Sequence, residues 1–283
     1  MKHLYLLFFF IGISLSAQIK GVVKDSITGK PIPYANIWVE NENIGASTEE
    51  NGEFVIHTNP NKNLIFSALG FEKKKTLVSD FIIVKLKPTA IPLEEVVVYK
   101  PKNSKSIEIG NFKKAFYLPE PQVIPWIVAK KVNFDEKNPD ARHINKITFY
   151  TKNEVDGAVF RVRIFAINSQ NMPSEDILQN DVIVEVKKGN QKTEVDFTKF
   201  NIEIPKEGVV VGFESLFLEK NKYIKKTYKK AVASSNYDPH VFYQYIDKEE
   251  SYTYRKGTWV KQTFYNFQDH KVIAPAIKVT LTN

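Results

Sequence analysis

Apolar and polar residues alternate along this chain in short runs, broken by Gly, Pro, Asn, Asp or Ser about every eight to twelve positions, the rhythm of an all-β protein. In the first third, the pattern predicts strands over 19–23, 34–39, 44–48, 54–57, 64–69 and 81–86. Turns fall at Ser26-Ile-Thr-Gly29 and Glu49-Glu-Asn-Gly52. Gly29, Gly52 and Gly70 stand where the chain reverses and a positive φ is wanted. Further on, strands are expected at 144–151, 160–167, 181–186, 193–197, 209–213, 241–246, 251–254, 258–265 and 276–282. The stretch 112–118 is open between a helical turn and a strand. Residues 123–132 are apolar and β-branched, and Pro125 among them favours an edge strand. No long segment has a helical period.

FRVRIFAI, 160–167, has the clearest alternation. Phe160, Val162, Ile164 and Ala166 take one face, and Arg161, Arg163, Phe165 and Ile167 the other, which is expected to point outward. Arginine donors beside a phenylalanine ring suit a sugar, and they equally suit pairing with a neighbouring strand. HVFYQYIDKEESYTYRKGTW, 240–259, is the richest aromatic cluster. Tyr243, Tyr245, Tyr252, Tyr254 and Trp259 are expected to stripe one face of a hairpin, either as a glycan platform or as a shield for the sheet.

The first residues change the picture of location. Met1-Lys2-His3, an apolar run over 4–15, then Ser16-Ala17-Gln18 give the order of parts of a secretory signal peptide cleaved after Ala17. That run is shorter than the roughly 20 residues a spanning helix needs. With no cysteine, the chain has no disulfide and no thiolate ligand, so its stability must come from its cores. A net charge of +8 without a nucleic-acid motif is too weak for a nucleic-acid footprint. The six lysines of EKNKYIKKTYKK, 219–230, read as a solvated loop or edge, or as a contact for anionic glycan or lipid headgroups.

Catalytic patterns are sparse. Of His3, His57, His143, His240 and His270, none is followed by Glu three residues on, so a zinc peptidase centre is not expected. There is no G-x-S-x-G elbow, no phosphate-cradling P-loop and no G-x-G-x-x-G. Glu203, Glu207 and Glu214 are the one group of carboxylates that could pair for glycoside cleavage, and Glu214 alternates outward beside Gly212.

IKGVVKDSITGKPIPYANIWVENENIGASTEENGEFVI with LIFSALGFEKKK resembles the carboxypeptidase-regulatory-like, transthyretin-type β-sandwich of exported Bacteroidota proteins. The resemblance rests on Gly21, Val23, Asp25, Gly29, Pro31, Ala35, Asn36, Gly45, Thr48, Gly52, Phe54, Gly70 and Phe71, with Glu49 where many members carry Asp. It implies a seven-stranded accessory module, not a catalytic one. KPTAIPLEEVVVYK resembles the seam that follows this module in TonB-dependent outer-membrane receptors. About 180 residues follow it here, too few for a receptor's plug and barrel. ITFY, FRVRIFAI, DILQNDVIVEV and VDFTKFNIEIPKEGVVVGFESL resemble the C-terminal half of exported Bacteroidota proteins with no known activity.

The expected architecture is all-β: a signal peptide at 1–17, a seven-stranded transthyretin-like sandwich at 18–88, a strand-containing linker with LEEVVV at 89–106, and a larger jelly-roll-like β-sandwich at 107–283. The expected function is a non-enzymatic binding or assembly module of the bacterial envelope, periplasmic or outer-membrane associated. Its partner is a glycan or an envelope protein, with no cofactor, metal, nucleic acid or mature transmembrane segment. Alternatives are an accessory of a TonB-dependent uptake system and a glycan hydrolase. Arg161, Arg163, Phe165, Tyr243, Tyr245, Tyr252, Tyr254 and Trp259 are the candidate binding residues.

Overall fold

The computed structural model describes residues 18–77, 81–89, 106–119, 123–225, 234–247, 250–263, 265–266 and 271–283. The expected signal peptide and the LEEVVV segment lie outside them.

Seven strands make the first sandwich: β1 (Gln18–Asp25), β2 (Asn36–Val39), β3 (Gly45–Ser47), β4 (Glu53–His57), β5 (Asn63–Ser67), β6 (Lys74–Leu77) and β7 (Phe81–Leu86). They form a three-stranded sheet, β4-β1-β7, and a four-stranded sheet, β3-β2-β5-β6. Alternation does the work predicted for it. Ile19 and Val23 of β1, Phe54 and Ile56 of β4, and Leu64 and Phe66 of β5 all turn into one core. Gly21 is required there, because a Cβ would lie 2.3 Å from the Ile82 carbonyl oxygen and 2.7 Å from the Phe54 ring.

The second sandwich follows in chain order as β8 (Ser106–Ile109), β9 (Ile127–Val132), β10 (His143–Asn153), β11 (Ala158–Ile167), β12 (Pro173–Asp176), β13 (Val182–Val186), β14 (Gly189–Asp196) and β15 (Val209–Ser215). After these come β16 (Lys222–Lys225), β17 (Ser234–Tyr237), β18 (His240–Val241), β19 (Tyr243–Ile246), β20 (Ser251–Arg255), β21 (Thr258–Lys261), β22 (Tyr265–Asn266), β23 (Lys271–Pro275) and β24 (Ile277–Thr282). A large sheet runs β12-β11-β15-β9-β20-β21, with β13 also on β11. It faces a sheet running β14-β10-β24-β8, with β18 on β10. Phe149 of β10 meets Phe160 of β11 and Phe213 of β15 across the layers, edge-on to Phe160 at 4.9 Å between centroids. The fold is all-β, as expected.

One local expectation needs correction. β9 is not an edge strand: it lies between β15 and β20, because Pro125 sits before the strand rather than in it. The stretch 112–118, open between a helical turn and a strand, holds a tight turn at 113–114 and then a single β-bridge from Phe116 to Tyr243.

Candidate functional site

In β11, Phe160, Val162 and Ile164 enter the core between the large sheets, and Arg161, Arg163 and Phe165 take the opposite face. That face does not point outward. Phe165 is 4% exposed because it packs among Ile127, Val210, Tyr252 and Trp259, and Arg161 is 1% exposed because the first sandwich covers the sheet there, an arrangement that alternation within a strand cannot reveal. Glu214 of β15, opposite Arg161 in register, was expected to point outward and is 0% exposed for the same reason.

The covering is made by specific bonds. Arg161 Nε and Nη2 donate to the two Glu214 carboxylate oxygens at 2.7 and 3.0 Å, Nη1 donates to Asp181 at 2.8 Å, and Nη2 also donates to the Tyr34 carbonyl at 3.1 Å. Arg163 Nη1 donates to Glu214 at 2.8 Å, and its Nε donates to Asp176. Asn36, from β2 of the first sandwich, donates to Glu214 Oε1 and accepts from Ser47. Around this network, Phe217 and Ser47 exchange hydrogen bonds, the Glu49 carboxylate accepts from the Glu219 amide at 2.9 Å, and Tyr34 packs with Val159, Leu216 and Leu218.

Burial alone would raise the Glu214 carboxyl, but the Arg161 and Arg163 charges overcome it and hold it at about 2. At Asp176 burial wins over Arg163, and its carboxyl is raised. Burial likewise opposes the charge on Arg161, and Glu214 with Asp181 more than restores it.

Beside the network, at the seam of the two sandwiches, lies a cavity of about 280 Å³. Asn36, Ser67, Ala68, Leu69 and Lys73 line it from the first sandwich. Arg161, Arg163, Phe165, Ser174, Asp176, Glu214, Tyr254 and Trp259 are among its lining from the second. Its aromatic wall is a hairpin product: Tyr254 and Trp259 are cross-strand partners in β20 and β21, and the turn between them places Lys256 and Gly257 at φ 51° and 84°. Trp259 meets Phe165 edge-on at 4.9 Å, and the Arg163 guanidinium lies over the Phe165 ring at 5.0 Å. Lys73 reaches across from the first sandwich to sit 5.4 Å from the Tyr254 ring and donate to the Gly257 carbonyl at 3.3 Å.

Five of the eight candidate residues thus converge on one cavity: Arg161, Arg163, Phe165, Tyr254 and Trp259. The expected tyrosine stripe does not exist as a single face. β19 belongs to a small sheet with β23 and β22, whereas β20 belongs to the large sheet, so the chain changes sheets between the two halves of the motif. Tyr243 is core, Tyr245 is 45% exposed and packs on Phe116, and Tyr252 is fully buried with its hydroxyl on the Asn171 carbonyl. Asn36, Lys73, Asp176 and Ser174 are site residues that the sequence did not single out. Asn36 carried a signal of another kind, since it stands among the positions of the family resemblance.

Elsewhere, Glu203 is exposed and paired with Arg142, away from the cavity lining. Among the described residues, no three His, Asp or Glu side chains cluster as metal donors. Asp238 is fully buried, accepts from the Glu154 and Val155 amides, and lies 3.7 Å from His240 Nε2. Burial, against those two amides, pushes its carboxyl up to about 6. No helix among the described residues is long and apolar enough to cross a membrane.

Comparison with known proteins concerns chiefly the first sandwich. Residues 19–98 match the CarboxypepD_reg-like domain, a non-catalytic type. Over 92 residues, 31% of this chain, the sequence is 33% identical to the TonB-dependent receptor SusC of Bacteroides thetaiotaomicron, of which the match covers 9%. The chain therefore spans less than a tenth of that relative. Among solved structures, the cysteine protease and lectin-like domains of Cwp84, a surface layer associated protein of Clostridium difficile, align with 14% identity and a TM-score of 0.34 over 56% of this chain and 32% of that one. The clostridial protease Cwp84 after propeptide cleavage aligns with 12% identity and a TM-score of 0.35 over 87% and 51%. Scores of this size do not establish a shared fold. Residues 19–98 carry a CarboxypepD_reg-like domain that resembles the N-terminal region of TonB-dependent receptors.

Proposed function

We propose that this chain is a non-enzymatic binding module of the bacterial envelope, exported by its N-terminal segment, and that it holds a glycan in the cavity between its sandwiches. The observation that carries this reading is the pairing of walls. Tyr254 and Trp259, backed by Phe165, offer ring surface, and Ser67, Ser174, Lys73 and Arg163 stand around them with polar groups. Flat rings take the apolar face of a pyranose, and directional polar groups fix its hydroxyls. A volume of about 280 Å³ is at the small end of ligand sites and suits one or two sugar residues rather than a long chain.

Binding is favoured over hydrolysis by the state of the carboxylates. Each Glu214 oxygen already accepts two hydrogen bonds, and both Asp176 oxygens accept one, so neither side chain is free to act as nucleophile or acid on a bound glycan.

The test is a glycan array probed with the full chain and with Trp259→Ala and Phe165→Ala. Binding to a defined glycan set, lost in both variants, is the expected result. An array without signal would overturn the glycan reading. A second reading, an accessory of a TonB-dependent uptake system, is favoured by the SusC match. It is tested by capture from outer-membrane extract, where a receptor retained by the wild type and equally by Trp259→Ala would support it.

A further inference from the structure

The hydrogen-bonding capacity left open in the cavity is unequal in kind. Its carboxylate and amide acceptors are largely spent, while the Ser67, Ser174 and Tyr254 hydroxyls can donate or accept: Glu214 accepts four hydrogen bonds, from Asn36, Arg161 twice and Arg163. Asp176 accepts from Arg163 and from the Leu178 amide, and the Asn36 carbonyl oxygen accepts from Ser47. Its donors are not. Arg163 uses Nε and Nη1 on those carboxylates, and its Nη2 has no hydrogen bond among the described residues. Lys73 has three N–H groups and uses one, at 3.3 Å, on a backbone carbonyl. It forms no ion pair among the described residues, and it lines the cavity beside the aromatic wall. A neutral sugar brings hydroxyls that both donate and accept, and would leave these donors without charged partners. A carboxylate brings acceptor oxygens alone, and charge-assisted bonds to ammonium and guanidinium are the stronger kind.

Resting on the glycan reading, we infer that the cavity selects an acidic sugar, a uronic acid residue whose ring lies on Tyr254 and Trp259 and whose carboxylate is taken by Lys73 Nζ and Arg163 Nη2. Arg163 is held in place for this by its two carboxylate partners and by the Phe165 ring, so it meets the ligand without first being ordered. Lys73 is exposed and adjustable, and its reach decides which uronate geometry fits.

The experiment is isothermal titration of the full chain with trigalacturonate and trimannuronate, each against its own methyl ester, which keeps the shape and removes the charge. At least one free acid is expected to bind tenfold or more tighter than its ester. That ratio should shrink in higher salt and fall toward one in Lys73→Gln. Equal affinity of acid and ester, or a ratio unchanged in Lys73→Gln, overturns the inference while leaving the glycan reading intact. No binding of any of the four by a protein that still binds neutral glycans on the array overturns the inference alone. No binding on the array as well overturns both.

Discussion

Glu214 shows how much depends on a single side chain at this joint. It is fully buried and held by two arginines and an asparagine, so removing it leaves two buried guanidinium groups with one carboxylate partner each, Asp181 and Asp176. Breaking a buried pair by deleting one partner costs about 3–5 kcal/mol. Glu214→Ala is therefore expected to lower the urea-derived stability by that amount, with Glu214→Gln losing less. Because the folded value of about 2 lies below the ordinary 4.5, this contribution is present above about pH 4.5 and is lost as the pH falls toward 2. Asp238 acts in the opposite sense. Its folded value of about 6 lies above the ordinary 3.8, so the fold binds that proton more tightly, and its contribution is fully present below 3.8 and lost as the pH rises through 6. The urea midpoint should accordingly rise between pH 7.5 and 5, and the rise should flatten in Asp238→Asn. At this scale the sequence was a good guide to which residue types gather and a poor one to what covers them. The arginines of FRVRIFAI were singled out as partners for a sugar or a strand. Their buried carboxylate partner, fifty-three positions from Arg161, was placed on the outside.

Among the elements, the first sandwich was the most legible, because half-buried strands write alternation into the sequence and tight approaches write glycine. Gly21→Ala tests the second point. Its Cβ would collide with the backbone oxygen of Ile82, which cannot move without breaking the parallel pairing of β1 with β7. The loss of stability should reach or exceed the roughly 1–3 kcal/mol of ordinary overpacking. Gly257→Ala in the β20–β21 turn is a different case: there is room for the methyl group, but φ is 84°. A loss of about 1–2 kcal/mol is expected in thermal unfolding, together with weaker ligand binding, since the turn sets the pairing of Tyr254 with Trp259. The tyrosine motif was misread because β19 and β20 are adjacent in sequence and alike in pattern. Nothing in their spacing says that the two strands belong to different sheets. β9 was misread because a proline just ahead of a strand looks the same as one inside it.

At the level of the whole molecule, two sandwiches are joined by a polar network with an apolar fringe, not by a linker alone. If the joint couples them, calorimetry of the full chain should show a single transition, and Glu214→Gln or Asn36→Ala should split or broaden it as the sandwiches begin to melt separately. The cavity belongs to neither sandwich, which is why no local stretch announced it: its walls come from residues 36–73 and 127–259. The joint also has a history in time. Asn36 and Glu214 are 178 positions apart, and a chain made N-terminus first finishes β2, which carries Asn36, and the turn before it, which carries Tyr34, long before the second half exists. Until then, the face that will be sealed lies in water, with the Tyr34 carbonyl and the Asn36 amide solvated. The cavity is therefore a late feature of this protein, incomplete until β20 and β21 supply Tyr254 and Trp259, and a chain cut short anywhere before β15 would carry one finished wall and no enclosed space.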